Sequence, residues 1–496
     1  MIKKIVRGGF IEKSLFILIF FIVLLFLNYQ SVFFLQPRSF HFIRQTDSLS
    51  FINYYLKTGL NFFDIGNLNL YNNSGKTACE FPIFYYLVAL LSITGVKSYL
   101  LLKSIYLIIF FFTSIVLFSF LRKTFSFIES IAITLLLFSS TIILYYTLNY
   151  IPNYPALCFT LCALIYFLTY LETNNSKKLN ISLCFFLLAS LLKITFSIYP
   201  VGCFLYLLIQ FLKTKDIKYK IIFSFLIVFL SLISWNLFMI YYNKINHADY
   251  YLTSIKPIWS ATYYEREEVF SFILNYWIYK YYYQTTIHVF FIISIVSIFF
   301  YKKNIIKYLQ LSIIFFFGVS SYFVLFFKNF RDHDYYFLEF VPFFLFFFIN
   351  SYQSISNSVN SKVKMALSVG LFILSLLSIN YGKLNLHRRY DKPFEQVSKI
   401  AYQLEFIENK IDSIEISENA KILVISDYTM NGSLYYLNRF GYTIGDTSDI
   451  RLPKYYLASD YILITDSSLI KPLCLKYKLQ NQLLSHRGAE LYKIKH

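Results

Sequence analysis

Long apolar runs separated by short polar loops fill the chain as far as residue 382, and beyond it the hydropathy falls and the period changes. Ser14 to Phe34 holds 21 positions without a charge, about what an α-helix needs to cross a hydrocarbon core. The basic segment Met1 to Lys13 resembles the start of a signal peptide. The apolar run is too long for one, however, and no small-x-small cleavage site follows, so a retained anchor is expected. Further runs predict spans near 98–120, 126–148, 153–171, 179–197, 198–212, 219–242, 285–300, 308–327, 335–350 and 363–380, which makes 11 with the first. Phe81 to Gly95 is apolar but too short to cross comfortably, and it is expected to lie along the outer membrane face or to re-enter.

From about Lys383 onward the pattern is that of a small α/β domain. Pro393 to Ile411 reads as an amphipathic helix, and Lys421 to Asp427 and Tyr461 to Asp466 read as short apolar strands ending on a polar residue. The expected fold is therefore an all-α polytopic membrane domain over 1–382, with about 11 transmembrane helices and interfacial helices in its first outer loop. A C-terminal α/β domain over 383–496 follows it.

Composition agrees, since the 496 residues are 57% hydrophobic, 21% aromatic and only 15% charged, whereas a soluble chain is about a quarter charged. Charge then sets the orientation. Residues 1–13, 121–125, 172–178, 213–220, 301–307 and 351–364 hold 17 Lys and Arg against 3 Asp and Glu, the pattern of cytoplasmic loops. The N-terminus is expected inside the cytoplasmic membrane, and an odd number of spans puts the C-terminal domain outside. The net charge of +19 thus reflects topology and anionic lipid headgroups rather than nucleic acid. Six cysteines without a CxxC imply no disulfide framework. Cys158 and Cys162, one helical turn apart, suit helix packing, and the Tyr-rich stretch at 279–283 suits an interfacial aromatic belt.

The side chains able to do chemistry gather in the predicted outer loops. Asp47 lies 13 residues beyond the first span, in a segment (44–57) that can form a helix on the membrane surface. A carboxylate there can take a proton from an attacking hydroxyl or hold a divalent cation, or it can simply cap the helix, as Thr46, Asp47 and Ser48 are all good N-cap types. Arg44, three residues earlier, can grip a phosphate bidentately or form a surface pair with Asp47, and His41 and Gln45 add donors and acceptors. Glu80, before Phe81-Pro82, is a carboxylate at the water–lipid boundary. It needs a cation, a substrate group or Lys76 as partner, unless it only complements a helix N-terminus. Lys193, near the outer end of an apolar span, either snorkels or meets an anionic group such as a lipid phosphate. In the loop Arg331-Asp332-His333-Asp334-Tyr335-Tyr336 a His with flanking Asp could bind metal, but a single His is a poor metal signal, and substrate hydrogen bonding is the better expectation.

Taken together, HFIRQTDS at 41–48, the Cys79-Glu80-Phe81-Pro82 step and RDHDYY before a proline-containing span resemble the GT-C superfamily of polyprenyl-phosphate-sugar-dependent glycosyltransferases. The nearest likeness is to its bacterial branch, related to protein O-mannosyltransferases and to the aminoarabinose lipid A transferase, and it covers roughly residues 1–380. The resemblance implies that Asp47 activates the acceptor or binds metal, with Glu80 as its partner. It also implies that Lys193 lies near the lipid phosphate and that His333, Asp334 and Tyr335 line the site. Relatives often carry an Asp where this chain has Asn153, which cannot act as a base; a hydrogen-bonding role is expected for it instead.

The reaction implied is transfer of a sugar from a polyprenyl-phosphate donor to a hydroxyl acceptor at the outer face, with inversion, and with a divalent metal at Asp47 and Glu80 as an option. A lipid-linked sugar flippase is the main rival and an inert membrane scaffold a third reading. Transporters tend to place charged sites near the midplane, whereas here the acids crowd one face.

Overall fold

A computed structural model describes residues 2–215, 218–250, 255–300, 306–391, 396–479 and 482–495. All eleven predicted segments are helical. Among the described residues, seven helices are long and apolar enough to cross a membrane, or nine if two bent pairs each count as one span. One pair, Phe127–Phe138 with Thr141–Thr147, bends by 75°, and the other, Tyr263–Tyr281 with Gln284–Phe300, bends by 98°. Of the remaining predicted spans, Leu309–Leu325 is a shorter apolar helix and Ser176–Leu192 has 17 residues. The chain is a multi-pass membrane protein.

The first helix runs over Ile2–Phe26 and stops short of the expected Phe34. Asn28 adopts the left-handed conformation (φ 52°) that asparagine tolerates better than most residues, and a separate short helix, Tyr29–Phe33, follows. Ile83–Ser92 has only 10 residues, about 15 Å of rise against a core of about 30 Å, so it does not cross.

Local chemistry sets several boundaries. Ser126 and Thr262 cap their helices with reciprocal boxes to Glu129 and Glu265. Glu129 is also tied, fully buried, to the Tyr352 and Ser368 hydroxyls at 2.9 Å each. Close helix approach depends on small residues: a Cβ on Gly202 would lie 2.7 Å from the Phe315 ring, and one on Gly318 would lie 2.6 Å from Ile198. Lys103, buried within a span, donates to the carbonyls of Val32, Phe33 and Leu35 at 3.0, 3.1 and 2.6 Å. It thereby anchors the start of the first loop.

The last membrane helix runs from Ser361 to Asp391, past the expected boundary at 382. The helix expected over Pro393–Ile411 is broken instead into Gln396–Ser398, Lys399–Gln403 and Ile407–Ser413, with 392–395 outside the described residues. Among the described residues five strands follow: β1 (Ile422–Ile425), β2 (Gly441–Ile444), β3 (Tyr461–Ile464), β4 (Gln482–His486) and β5 (Ala489–Lys493), in the order β2-β1-β3-β5-β4. The β2-β1-β3 half is parallel and the β3-β5-β4 half antiparallel.

The edge strand β2 is covered by the loop that follows the first membrane helix. Gly441 N–H donates to Leu68 O at 3.1 Å and Gly441 O accepts from Leu70 N–H at 2.8 Å. Pairing of this kind blunts an exposed edge, and it fixes the C-terminal domain on the same side of the molecule as the first loop. A Cβ on Gly441 would sit 1.9 Å from Ile422 O. Gly441→Ala is therefore expected to part β2 from β1 and from residues 68–70, which limited proteolysis would read as faster cleavage in the C-terminal domain.

Candidate active site at the junction of the first loop and the C-terminal domain

His41, itself left-handed (φ 55°), occupies the N-cap of helix Phe42–Thr58. Asp47 therefore lies in the second turn, and the helix-capping reading of Asp47 is corrected. The helix is not spread on a membrane surface either. Every residue from Gln45 to Tyr55 is buried, polar ones included, because the Ile83–Ser92 helix packs against it and the C-terminal domain lies over it.

Asp47 is 2% exposed and accepts a 2.7 Å hydrogen bond from Asn431 Nδ2 of the C-terminal domain. Arg44 is not joined to Asp47 as its surface partner; its Nη2 reaches both oxygens of Glu80, at 2.5 and 2.6 Å. Tyr85 also donates to Glu80 Oε1 and lies 3.2 Å from Ser48 Oγ. Lys76 pairs with Asp64 at 2.9 Å, so it does not serve Glu80. Burial pushes the Glu80 carboxyl up, but the Arg44 guanidinium and the Tyr85 hydroxyl outweigh that and hold it below the usual value. Glu80 is thus an ionised carboxylate locked to a cation. Because Arg44 and Asp47 are i, i+3 neighbours on one helix face, the locked pair stands beside Asp47. Tyr250 is within electrostatic range of both.

A second cluster joins the loop before the helix to two distant elements. Asp334 Oδ1 accepts from Tyr146 at 2.5 Å and lies 2.9 Å from His41 Nε2, while Oδ2 is 2.7 Å from Arg389 Nη2. Asp334 is fully buried and Arg389 is 4% exposed, its guanidinium 4.6 Å from the Phe40 ring centroid and 5.1 Å from that of Tyr145. Both oxygens of Asp334 face protein groups, so it orients His41 and Arg389. Tyr335 packs edge-on to His41 at 5.0 Å, with His333 tilted at 5.9 Å. Burial, then the neighbouring His41 and Lys193, push His333 down to about 3, which leaves it neutral at pH 7. The Gln45 amide donates to the carbonyls of Arg38 and Phe40 at 2.9 and 2.6 Å and to the Tyr145 hydroxyl at 3.2 Å.

The third group surrounds Glu339, fully buried and overlooked in the sequence. Asn153 Nδ2 donates to its Oε1 at 3.1 Å and Thr195 Oγ1 at 2.7 Å, and Tyr199 donates to its carbonyl at 2.6 Å. Asn153, for which a hydrogen-bonding role is expected, therefore meets a carboxyl group supplied from another span. Lys193 sits at the break that ends helix Ser176–Leu192, its ammonium 5.1 Å from the Tyr336 ring centroid and within electrostatic range of Glu339 and His333.

A divalent ion does not fit Asp47 and Glu80 as they are arranged. Both Glu80 oxygens are held by a guanidinium, which a metal would have to displace, and among the described residues no three His, Cys, Asp or Glu side chains gather as ligands. Beside the Asp334 cluster opens an apolar cavity of about 170 Å³ whose lining includes Leu137, Tyr281, Phe290, Phe337, Val341 and Phe344. Tyr281 stacks on Phe337 at 4.2 Å between the cavity and the cluster.

Residues 80–237 match the family described as dolichyl-phosphate-mannose-protein mannosyltransferase. The fold is that of ArnT from Cupriavidus metallidurans. The crystal structure of that protein bound to undecaprenyl phosphate aligns with TM-score 0.60 at 10% identity over 97% of each chain, and its apo state aligns with TM-score 0.61 at 10% identity over 98% of each. No curated protein matches the chain in sequence. The resemblance read from the sequence agrees with the family match over 80–237, which includes Glu80-Phe81-Pro82 but not the segment 41–48, and with a fold shared with ArnT over nearly the whole chain.

Proposed function

We propose that this protein is a glycosyltransferase that moves a sugar from a polyprenyl-phosphate donor to a hydroxyl acceptor at the outer face of the cytoplasmic membrane, with inversion at the anomeric carbon. The observation that carries the reading is the buried Asp47 carboxylate standing beside the Arg44–Glu80 pair at a junction of membrane and soluble domains. The family match and the undecaprenyl phosphate bound by ArnT support the class of donor.

In the proposed step the acceptor hydroxyl gives its proton to Asp47 as its oxygen bonds to the anomeric carbon. The bond from that carbon to the phosphate oxygen breaks, and the polyprenyl phosphate leaves with the electron pair. Negative charge then grows on the phosphate, where fixed cations are most effective in a water-poor site. Arg44, held in place by Glu80, and Lys193 supply that charge, and the apolar cavity suits the first part of the lipid chain. The concentration of Lys and Arg in the opposite loops supports a cytoplasmic N-terminus and an extracytoplasmic C-terminal domain.

Lys193→Ala is expected to raise KM for the donor roughly tenfold, the loss of one charge-assisted phosphate contact, with a smaller change in kcat. Steady-state kinetics at varied donor would show it. The proposal as a whole is tested with purified protein in liposomes carrying radiolabelled undecaprenyl-phosphate sugar and a mixture of envelope glycan, lipid and protein acceptors. Label moving from lipid to acceptor supports it, while label crossing the bilayer still attached to the lipid identifies a flippase instead.

A further inference from the structure

The loop leaving the carboxyl end of β1 is held unusually well for a surface connection. Asp427 Oδ1 accepts from Thr429 N–H and Thr429 Oγ1, both at 2.7 Å, and its Oδ2 accepts from Ser433 N–H at 3.0 Å. From the loop that follows the first membrane helix, Asn69 Nδ2 donates to Met430 O at 2.6 Å. β1 is the central strand of the parallel β2-β1-β3 half, so the loop emerges at the point where strand order reverses, a place where α/β folds commonly put function.

This loop rests directly on the helix that bears Asp47. A Cβ on Gly432 would lie 2.8 Å from the Phe42 ring and 2.4 Å from Thr429 Oγ1, so only glycine allows so close an approach. Asn431 is fully buried, and its amide meets the Asp47 carboxylate at 2.7 Å.

We infer that Asn431 is a positioning residue for Asp47, so that the C-terminal domain completes the catalytic centre. The inference rests on the reading of Asp47 as the base. The amide fixes the rotation of the carboxylate toward the acceptor hydroxyl, and small errors in such a geometry cost up to about a hundredfold in rate.

Asn431→Leu removes the donor, and Asn431→Asp keeps the shape but turns the donor into an acceptor. Each is expected to lower kcat roughly 10- to 100-fold while KM for the polyprenyl-phosphate sugar stays within twofold. Asn431→Ser, whose hydroxyl can still donate, is expected to recover part of kcat. Tyr428→Leu, 70% exposed in the same loop, is the control, with kcat unchanged. If Asn431→Leu does not fold, the near-isosteric Asn431→Asp decides the matter. Wild-type kcat in a folded Asn431 variant overturns the inference, as does an equal loss in kcat and in donor affinity. Wild-type transfer by Asp47→Asn overturns instead the reading on which it rests.

Discussion

Asp47→Asn is expected to cut kcat by roughly 10²–10⁴-fold, the usual worth of a positioned general base, which corresponds to about 3–5 kcal/mol of transition-state stabilisation. The change keeps the side chain's size, so the helix, the Arg44–Glu80 pair and the cavity are left in place. Donor binding, measured by titration with the polyprenyl-phosphate sugar, is expected to remain within threefold of wild type, since the phosphate is held by cations elsewhere. This split between turnover and binding separates loss of a base from loss of the site. Parallel loss of binding and turnover would point to collapse of the pocket and would remove Asp47 from the role of base.

Arg389→Met is the second large effect, and it falls on stability. Arg389 and Asp334 are both buried and 2.7 Å apart. Removing one partner leaves a charge out of water with only His41 and Tyr146 to compensate, and such losses cost about 3–5 kcal/mol. A marked fall in the thermal midpoint of the detergent-solubilised protein is expected. The double variant Arg389→Met/Asp334→Leu is expected to regain part of the loss, because no orphaned charge remains. A single variant as stable as wild type would mean that the pair does not hold the last membrane helix to the loop at residue 334.

Much of the membrane architecture was legible in the sequence because the runs of Leu, Ile and Phe are long and their flanking charges are asymmetric. The β1 and β3 segments were legible because each is a short apolar run with a polar stop. Asp47, Arg44 and Glu80 could be singled out because charged groups are scarce beside a span. Their pairing could not: Glu80 could have taken Lys76, four residues away, and the choice of Arg44 is made by tertiary packing. Glu339 carried a usable signal, being the only acid in the apolar run 335–350, and an intramembrane carboxylate is a functional candidate in its own right. Arg389 was hidden by the expected boundary at 382, since the helix continues past a fall in hydropathy. Asn431 had no local signal at all. It lies 384 residues from Asp47, and only the docking of the C-terminal sheet on the first loop brings the two together.

At the centre of the account is a single displacement, in which the acceptor oxygen enters as the lipid phosphate leaves and Asp47 takes the proton. The most direct measurement is the anomeric configuration of the sugar in the product relative to the donor, read by NMR from a single-turnover reaction. One inverted anomer is predicted. A product that keeps the donor's configuration would require a second displacement, and would contradict Asp47 acting as the base of a one-step transfer.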